Sequence, residues 1–106
     1  MLSGNIFKNI PHDIDEEVID CLVKSGVVKI ERIISRGHTS PVTGWYDQQQ
    51  NEWVIVLKGC AIIVFDDDRG SLKLDSGDYL SIPAHSRHRV KWTDPSIETV
   101  WLAVSY

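Results

Sequence analysis

The stretch WYDQQQNEWVIVLKG, residues 45–59, decides how this 106-residue chain folds. Its second half is a run of apolar, largely β-branched residues closed by Gly59, which is typical of a β-strand. That run begins at the carboxylate Glu52, and Asp47 follows Trp45 by two residues. The stretch therefore predicts a strand with a polar site at its beginning, and it raises the question of whether that site holds a metal ion.

Similar short segments recur along the chain, each rich in β-branched residues and bounded by turn residues. They are VVKIERII, CAIIVF, SLKL, YLSIP, HRVKW and TVWLAVSY. Together with EWVIVLKG they make at least seven predicted strands, with turn signals about every 8–12 residues. This pattern predicts an all-β sandwich or barrel.

One segment has the pattern of a helix instead, PHDIDEEVIDCLVKSG at residues 11–26. Asp13 is placed to cap it, and Glu16 follows three residues later as in a capping box. Its apolar residues are spaced by four and would form one stripe along the helix. They are Ile14, Val18 and Leu22. We therefore expect one short N-terminal helix packed outside the barrel.

The length of the chain predicts one domain with a single core. Within residues 1–106, we expect an N-terminal extension with its helix at 1–26 and the β-barrel at 27–106. Apolar residues make up 42% of the chain and charged residues 25%, as in ordinary soluble globular proteins.

Charge and hydropathy exclude two classes of partner. The net charge is -4 and the one basic stretch, RHRVK, is short, so nucleic acid is not expected to bind. The apolar runs are far shorter than the about 20 residues of a membrane span, so no membrane is expected. Cys21 and Cys60 both lie among apolar residues, and we expect two buried thiols in a reducing, cytoplasmic protein.

Two spaced motifs resemble those of the cupin family, which are small jelly-roll β-barrels. The first is Glu52, six residues and Gly59. The second cupin motif has a glycine, a proline, a second glycine and a histidine, in that order. In this chain His85 replaces the second glycine. The residues of this motif are Gly77, Pro83, Ala84, His85 and His88. The likeness covers roughly the last three-quarters of the chain and is closest to small single-domain bacterial cupins.

The resemblance implies a metal site inside the barrel. The family ligands are a His-x-His pair about four residues before the glutamate, the glutamate itself and the histidine of the second motif. On this chain those positions are Trp45, Asp47, Glu52 and His88. The implied metal ligands are thus Glu52, His88 and Asp47, and such a set suits Mn, Fe, Ni or Zn. His85 joins them if its turn points it inward, and otherwise it is a turn residue at the lip of the barrel.

Strand alternation places apolar neighbours beside these ligands. Side chains two residues apart share a face of a strand, so the strands that start at Glu52 and His88 also send every second side chain inward. The predicted substrate pocket therefore has five apolar or aromatic residues. They are Trp45, Val54, Val56, Val90 and Trp92.

Three functions fit this pattern. One is a metal-dependent enzyme of dioxygenase, isomerase or lyase type that acts on a small molecule. Another is a metal-free barrel that binds a small molecule, and the third is a regulatory barrel with a vestigial site. In the metal-free cases Glu52 and His88 would be a buried ion pair. We also expect a homodimer, because Trp53 and Trp101 could lie on outward strand faces.

Overall fold

The computed structural model describes residues 3–106, which form eight β-strands and no helix. Residues 1 and 2 of the predicted N-terminal extension lie outside the described residues. The strands are β1 (Val18–Ser25), β2 (Val28–Ser35), β3 (Glu52–Lys58), β4 (Cys60–Phe65), β5 (Ser71–Asp75), β6 (Tyr79–Ile82), β7 (His88–Thr93) and β8 (Thr99–Ser105). One antiparallel sheet has the order β1-β2-β8-β3-β6, and the other has the order β5-β4-β7. The all-β prediction is confirmed.

The helix predicted over residues 11–26 is wrong, because its second half forms β1. Val18 pairs with Ile34 and Ser25 pairs with Val28, so β1 and β2 are joined by a two-residue turn. Gly26 has a φ of 57°, which suits the first residue of such a hairpin turn. A glycine that ends a helix therefore has the same local signature as one that turns a hairpin. Pairing with β2 decides between the two.

An irregular segment with several turns covers the sheet where the predicted helix would have packed. Arg32 on β2 is only 8% exposed, and its guanidinium donates to the backbone oxygens of Ile6 and Lys8 at 3.2 and 2.7 Å. The same guanidinium forms an ion pair with Asp20 on β1 at 2.8 Å. The segment before β1 is thus held against the outer face of the larger sheet by one buried cation.

The two sheets enclose the core between them. Its buried residues alternate along their strands, and they are Val54, Val56, Ala61, Ile63, Leu74, Ile82, Trp101 and Ala103. Trp101 is 3% exposed, so the expectation that it faces outward is wrong. Its strand, β8, lies between β2 and β3, and Trp101 shares the inward face of β8 with Ala103. Cys21 is exposed on β1, which corrects the expectation of a buried thiol there.

Within residues 3–106, no helix has the length and apolarity needed to cross a membrane.

The glycine that ends the first motif is required by backbone crowding. Gly59 has a φ of 97° at the turn between β3 and β4. A Cβ on Gly59 would lie 2.7 Å from the Thr99 Cα and 2.9 Å from the Glu98 carbonyl oxygen. Both of those atoms belong to backbone and cannot rotate away, so no side chain fits at this position.

Gly59→Ala is therefore expected to lower the free energy of unfolding by more than about 2 kcal/mol, because it adds a backbone clash to an unfavourable φ. Gly70→Ala is the matched control, because Gly70 has a φ of 75° but open space around it. The control should lose only about 1 kcal/mol. Urea unfolding followed by tryptophan fluorescence measures both, and equal losses would contradict the crowding argument.

Candidate functional site

A cavity of about 240 Å³ lies between the two sheets, with a volume of roughly eight water molecules. Its apolar wall comes from all strands except β5. The residues of this wall are Ile19, Ile33, Val54, Ile63, Ile82, Val90 and Trp101. The polar wall comes from the segments before β1 and β3, from β2, and from the first residues of β3 and β7. The cavity is therefore a small-molecule site in shape, with one polar side and one apolar side.

His88 begins β7 and is 4% exposed. Its Nδ1 lies 2.7 Å from the backbone oxygen of Ser86. A carbonyl oxygen only accepts hydrogen bonds, so Nδ1 must carry the proton in the uncharged ring. His88 Nε2 then holds a lone pair and lies 3.8 Å from Glu52 Oε1. The Ser86 carbonyl thus sets which nitrogen of His88 is free to react.

Glu52 begins β3, as the sequence predicts, and its side chain is 17% exposed. It faces the cavity together with Val54, which lies two residues further along the strand. The 3.8 Å separation from His88 Nε2 is too long for a direct hydrogen bond, but it is short enough for an ion pair when the imidazole is protonated. Glu52 and His88 therefore lie side by side inside the barrel.

Tyr46 adds a phenol to this pair. Its hydroxyl and the Ser40 hydroxyl are hydrogen-bonded, and its ring centroid lies 5.5 Å from that of His88. Burial raises the pKa of Tyr46, the Ser40 hydrogen bond lowers it, and the nearby Glu17 and Glu52 carboxylates raise it further. Tyr46 therefore remains a protonated phenol at neutral pH and can donate a hydrogen bond.

The structure does not bring Asp47 to Glu52 and His88. Asp47 Oδ1 instead lies 2.8 Å from His85 Nδ1, and the two side chains are 50% and 65% exposed. His85 has a φ of 63°, a left-handed conformation that explains why cupins have glycine at this position. The backbone N–H of His85 donates to the Gln48 oxygen at 2.8 Å, which fixes the turn. Asp47 and His85 thus form a second pair on the outside of the cavity.

This arrangement does not match the donor set expected for a metal. Among residues 3–106, no group of three or more His, Cys, Asp and Glu side chains is placed to hold a metal ion. Only Glu52 and His88 remain of the implied ligands, whereas a catalytic zinc site commonly has three protein ligands. Two donors do not fit a tightly held divalent ion.

The predicted pocket residues separate into two groups. Val54 and Val90 line the cavity. Val56 is fully buried in the core and is not part of the cavity wall. Trp45 and Trp92 also lie outside the wall. The Trp45 ring instead lies under the Arg89 guanidinium, 4.8 Å from ring centroid to Cζ.

A β-bulge explains why Trp92 does not face inward. Val90 pairs with Ile63, but Trp92 pairs with the adjacent residue Ile62, so Lys91 is an extra residue in β7. An extra residue reverses the alternation of side chains beyond it. Trp92 is 38% exposed as a result.

Several cavity residues were missed by the sequence analysis. Trp101 was assigned to the outside, and charged residues at the mouth were not considered. The latter are Glu17, Lys29 and Glu31. Alternation along β2 from the cavity-lining residue Ile33 could have found Lys29 and Glu31. Nothing local in the sequence shows that β1 and β2 reach the cavity mouth.

Residues 34–105 match the family described as Cupin domain. The chain belongs to the cupin family. It is similar to a protein of Ralstonia eutropha JMP134 described as a candidate mannose-6-phosphate isomerase, with 45% identity, a TM-score of 0.93, and coverage of 99% of this chain and 97% of that one.

Two more distant structures share the fold. A cupin superfamily protein of Desulfitobacterium hafniense DCB-2 is 22% identical, with a TM-score of 0.73 and coverage of 91% of this chain and 82% of that one. Fe(II)-HppE with the substrate (S)-1-HPP is 17% identical, with a TM-score of 0.70 and coverage of 93% and 54%. No curated protein sequence matches the chain.

The geometry predicts opposite tautomers for two histidines of this protein. His88 donates from Nδ1 to Ser86, whereas His38 Nδ1 accepts from the Arg36 N–H at 2.8 Å and must carry its proton on Nε2. In ¹⁵N NMR spectra at alkaline pH, His88 should give a protonated Nδ1 and His38 a protonated Nε2. The same tautomer on both rings would contradict the orientation of His88 described above.

Proposed function

We propose that the cavity binds one small polar molecule, and that His88 exchanges a proton with it without a metal ion. The observation that carries this proposal is the fixed orientation of His88, in which the Ser86 carbonyl holds Nδ1–H at 2.7 Å. Nε2 is then the proton acceptor in the cavity, with Glu52 Oε1 3.8 Å away. Histidine is the side chain best suited to such an exchange near neutral pH.

Each group has a defined part in the exchange. His88 Nε2 takes a proton from a ligand carbon next to a carbonyl group. The electrons of that C–H bond form a C=C bond, while the carbonyl π electrons move onto oxygen and give an enolate. Glu52 stabilises the imidazolium that results. The protonated Tyr46 hydroxyl donates to the enolate oxygen. If Nε2–H returns the proton to the same carbon, the result is proton exchange. If Nε2–H delivers it to the former carbonyl carbon, Tyr46 passes its hydroxyl proton to the enolate oxygen and takes the proton of the neighbouring hydroxyl group, which completes an isomerisation.

The comparison with known proteins supports this class of reaction. The relative from Ralstonia eutropha is 45% identical over 99% of this chain, and its description names a sugar-phosphate isomerase. Isomerising an aldose moves a proton between adjacent carbons, which is the step assigned here to His88. The reaction class is taken from that relative only as support for the proposal, since one fold hosts many activities.

A weakly held divalent metal is the second candidate function for the same pair. The observation that favours it is that His88 Nε2 has a free lone pair next to a carboxylate, as in many metal sites. Mn, Fe, Ni or Zn would be held by Glu52 and His88, with Gln48 also on the cavity wall. Titration of the protein with each ion separates this candidate from the metal-free proposal.

Proton exchange can be tested with D-mannose in D₂O containing EDTA, by following loss of the C2 proton signal in ¹H NMR. The wild-type protein should catalyse this loss, and His88→Gln should slow it by about 100-fold or more, the usual contribution of a general base. His85→Asn is the matched control, because it changes an exposed histidine outside the cavity and asparagine tolerates a left-handed φ. The proposal is wrong if His88→Gln keeps the activity, or if activity appears only when a divalent ion is added.

We also propose that the protein is a homodimer formed through β1. This strand lies at the edge of its sheet, so its outer backbone groups are unpaired within the sheet and can pair with another strand. Antiparallel pairing of two copies about Leu22 would place Asp20 of one near Lys24 of the other. Large apolar side chains are more than 40% exposed on β1 and at its turn: Ile19, Leu22, Val23 and Val27.

Val23→Lys should therefore produce a monomer, because it adds a like charge on both sides of the proposed two-fold contact. Light scattering coupled to size exclusion measures the mass at micromolar concentration. Val42→Lys is the control, since Val42 is 91% exposed and lies outside the strands. A monomeric wild type, or dimers of both variants, would contradict an interface at β1.

A further inference from the structure

The charged residues of the cavity are mostly carboxylates. Glu17, Glu31 and Glu52 line it, with Lys29 as the one ammonium among the described lining residues. Lys29 Nζ lies 3.7 Å from Glu31 Oε1, so this cation is already paired. The three carboxylates exceed the one ammonium, so the cavity is negatively charged.

Burial makes this excess of negative charge more effective. The side chains of Glu31 and Glu52 are 19% and 17% exposed, whereas Lys29 is 41% exposed. These two carboxylates are thus less exposed than the ammonium, so water screens them less. A concave site lined by one sign of charge concentrates ligands of the opposite sign and repels those of the same sign.

The same carboxylates act on Tyr46. Burial is the largest cause that raises the pKa of Tyr46, and the Glu17 and Glu52 carboxylates raise it further. Negative charge from two sides of the cavity therefore acts on a group in its polar wall. An anion placed beside Tyr46 would meet the same repulsion.

Nearby cations do not offset this charge. Arg89 lies over Trp45 outside the cavity wall. Arg36 and Lys58 lie 3.8 and 3.7 Å from the carboxylate of Glu98, which is not in the cavity. No arginine lines the cavity among the described residues, although arginine is the side chain that typically binds phosphate.

The polar wall adds a second requirement. Ser40, Tyr46 and Gln48 line the cavity together with Glu52 and His88. Their hydroxyl and amide groups can form hydrogen bonds with a hydroxyl or carbonyl oxygen of a ligand. Trp101 also lines the cavity, but its indole Nε1 is buried out of contact with solvent.

We infer that the cavity selects a small amine that also carries hydroxyl or carbonyl oxygens, such as an amino sugar or amino alcohol, and that it rejects phosphorylated ligands. The ammonium group is held by Glu31 and Glu17 at the mouth, and the oxygens form hydrogen bonds with the hydroxyl and amide groups of the polar wall. This inference rests on the proposed function of the cavity as a ligand site. It names a substrate class that differs from the sugar phosphate in the description of the Ralstonia relative.

Three sugars with one skeleton and different charges test this selectivity: D-mannosamine, D-mannose and D-mannose 6-phosphate. Isothermal titration at low salt should give the tightest binding for D-mannosamine and the weakest for D-mannose 6-phosphate, with a difference of about tenfold or more. Added salt should weaken the binding of D-mannosamine and leave that of D-mannose unchanged. The inference is overturned if D-mannose 6-phosphate binds as tightly as D-mannosamine, or if none of the three binds at millimolar concentration.

Glu31→Gln provides the residue-level test. It removes one cavity carboxylate and should reduce the preference for D-mannosamine over D-mannose several-fold. Asp75→Asn is the matched control, since its exposed carboxylate (62%) does not line the cavity. Equal effects of both variants would mean that net charge, rather than the cavity, sets the preference. Because binding is measured here and proton exchange in the D₂O assay, the two proposals can fail separately.

Discussion

Two backbone hydrogen bonds between Tyr46 and His88 hold the site together. The Tyr46 N–H donates to the His88 oxygen at 2.8 Å, and the His88 N–H donates to the Tyr46 oxygen at 3.2 Å. They attach the irregular segment before β3 to the first residue of β7, although 42 positions separate the two in sequence. The phenol, the imidazole and the Glu52 carboxylate can meet in one cavity because this bridge fixes the two backbones side by side.

The regular parts of the fold could be predicted from the sequence, since the period of two along a strand is a local property. Alternation along β3 placed Glu52 and Val54 on the cavity wall and Val56 inside the barrel. The prediction failed where that period is interrupted. An extra residue in β7 turned Trp92 outward, and the segment between Asp47 and Glu52 is not a strand, so alternation does not carry from one to the other.

Where the local sequence pattern fits two structures, pairing with a strand elsewhere in the sheet determines which one forms. The segment from Val18 to Ser25 satisfies a helical stripe as well as a strand, and only its register with β2 shows which is adopted. The position of β8 between β2 and β3 likewise makes Trp101 a core residue. Neither pairing leaves a signal in a single sequence, which is why the helix and the outward Trp101 were wrong.

Two of the cupin ligand positions hold residues that make other contacts in this chain. Trp45 stands where the family has its first histidine and lies under Arg89 outside the cavity wall. Asp47 stands at the second and binds His85. Glu52 and His88 occupy the other two positions and line the cavity together with the carboxylates at its mouth.

The order of the strands also has a consequence for the time course of folding. β8 follows the other seven strands in chain order, yet it is the central strand of the five-stranded sheet. Until residues 99–105 have left the ribosome, β2 and β3 both have open edges that can pair with other chains. The barrel can therefore close only after β8 has been made, and loss of β8 would leave an aggregation-prone chain rather than a smaller folded protein.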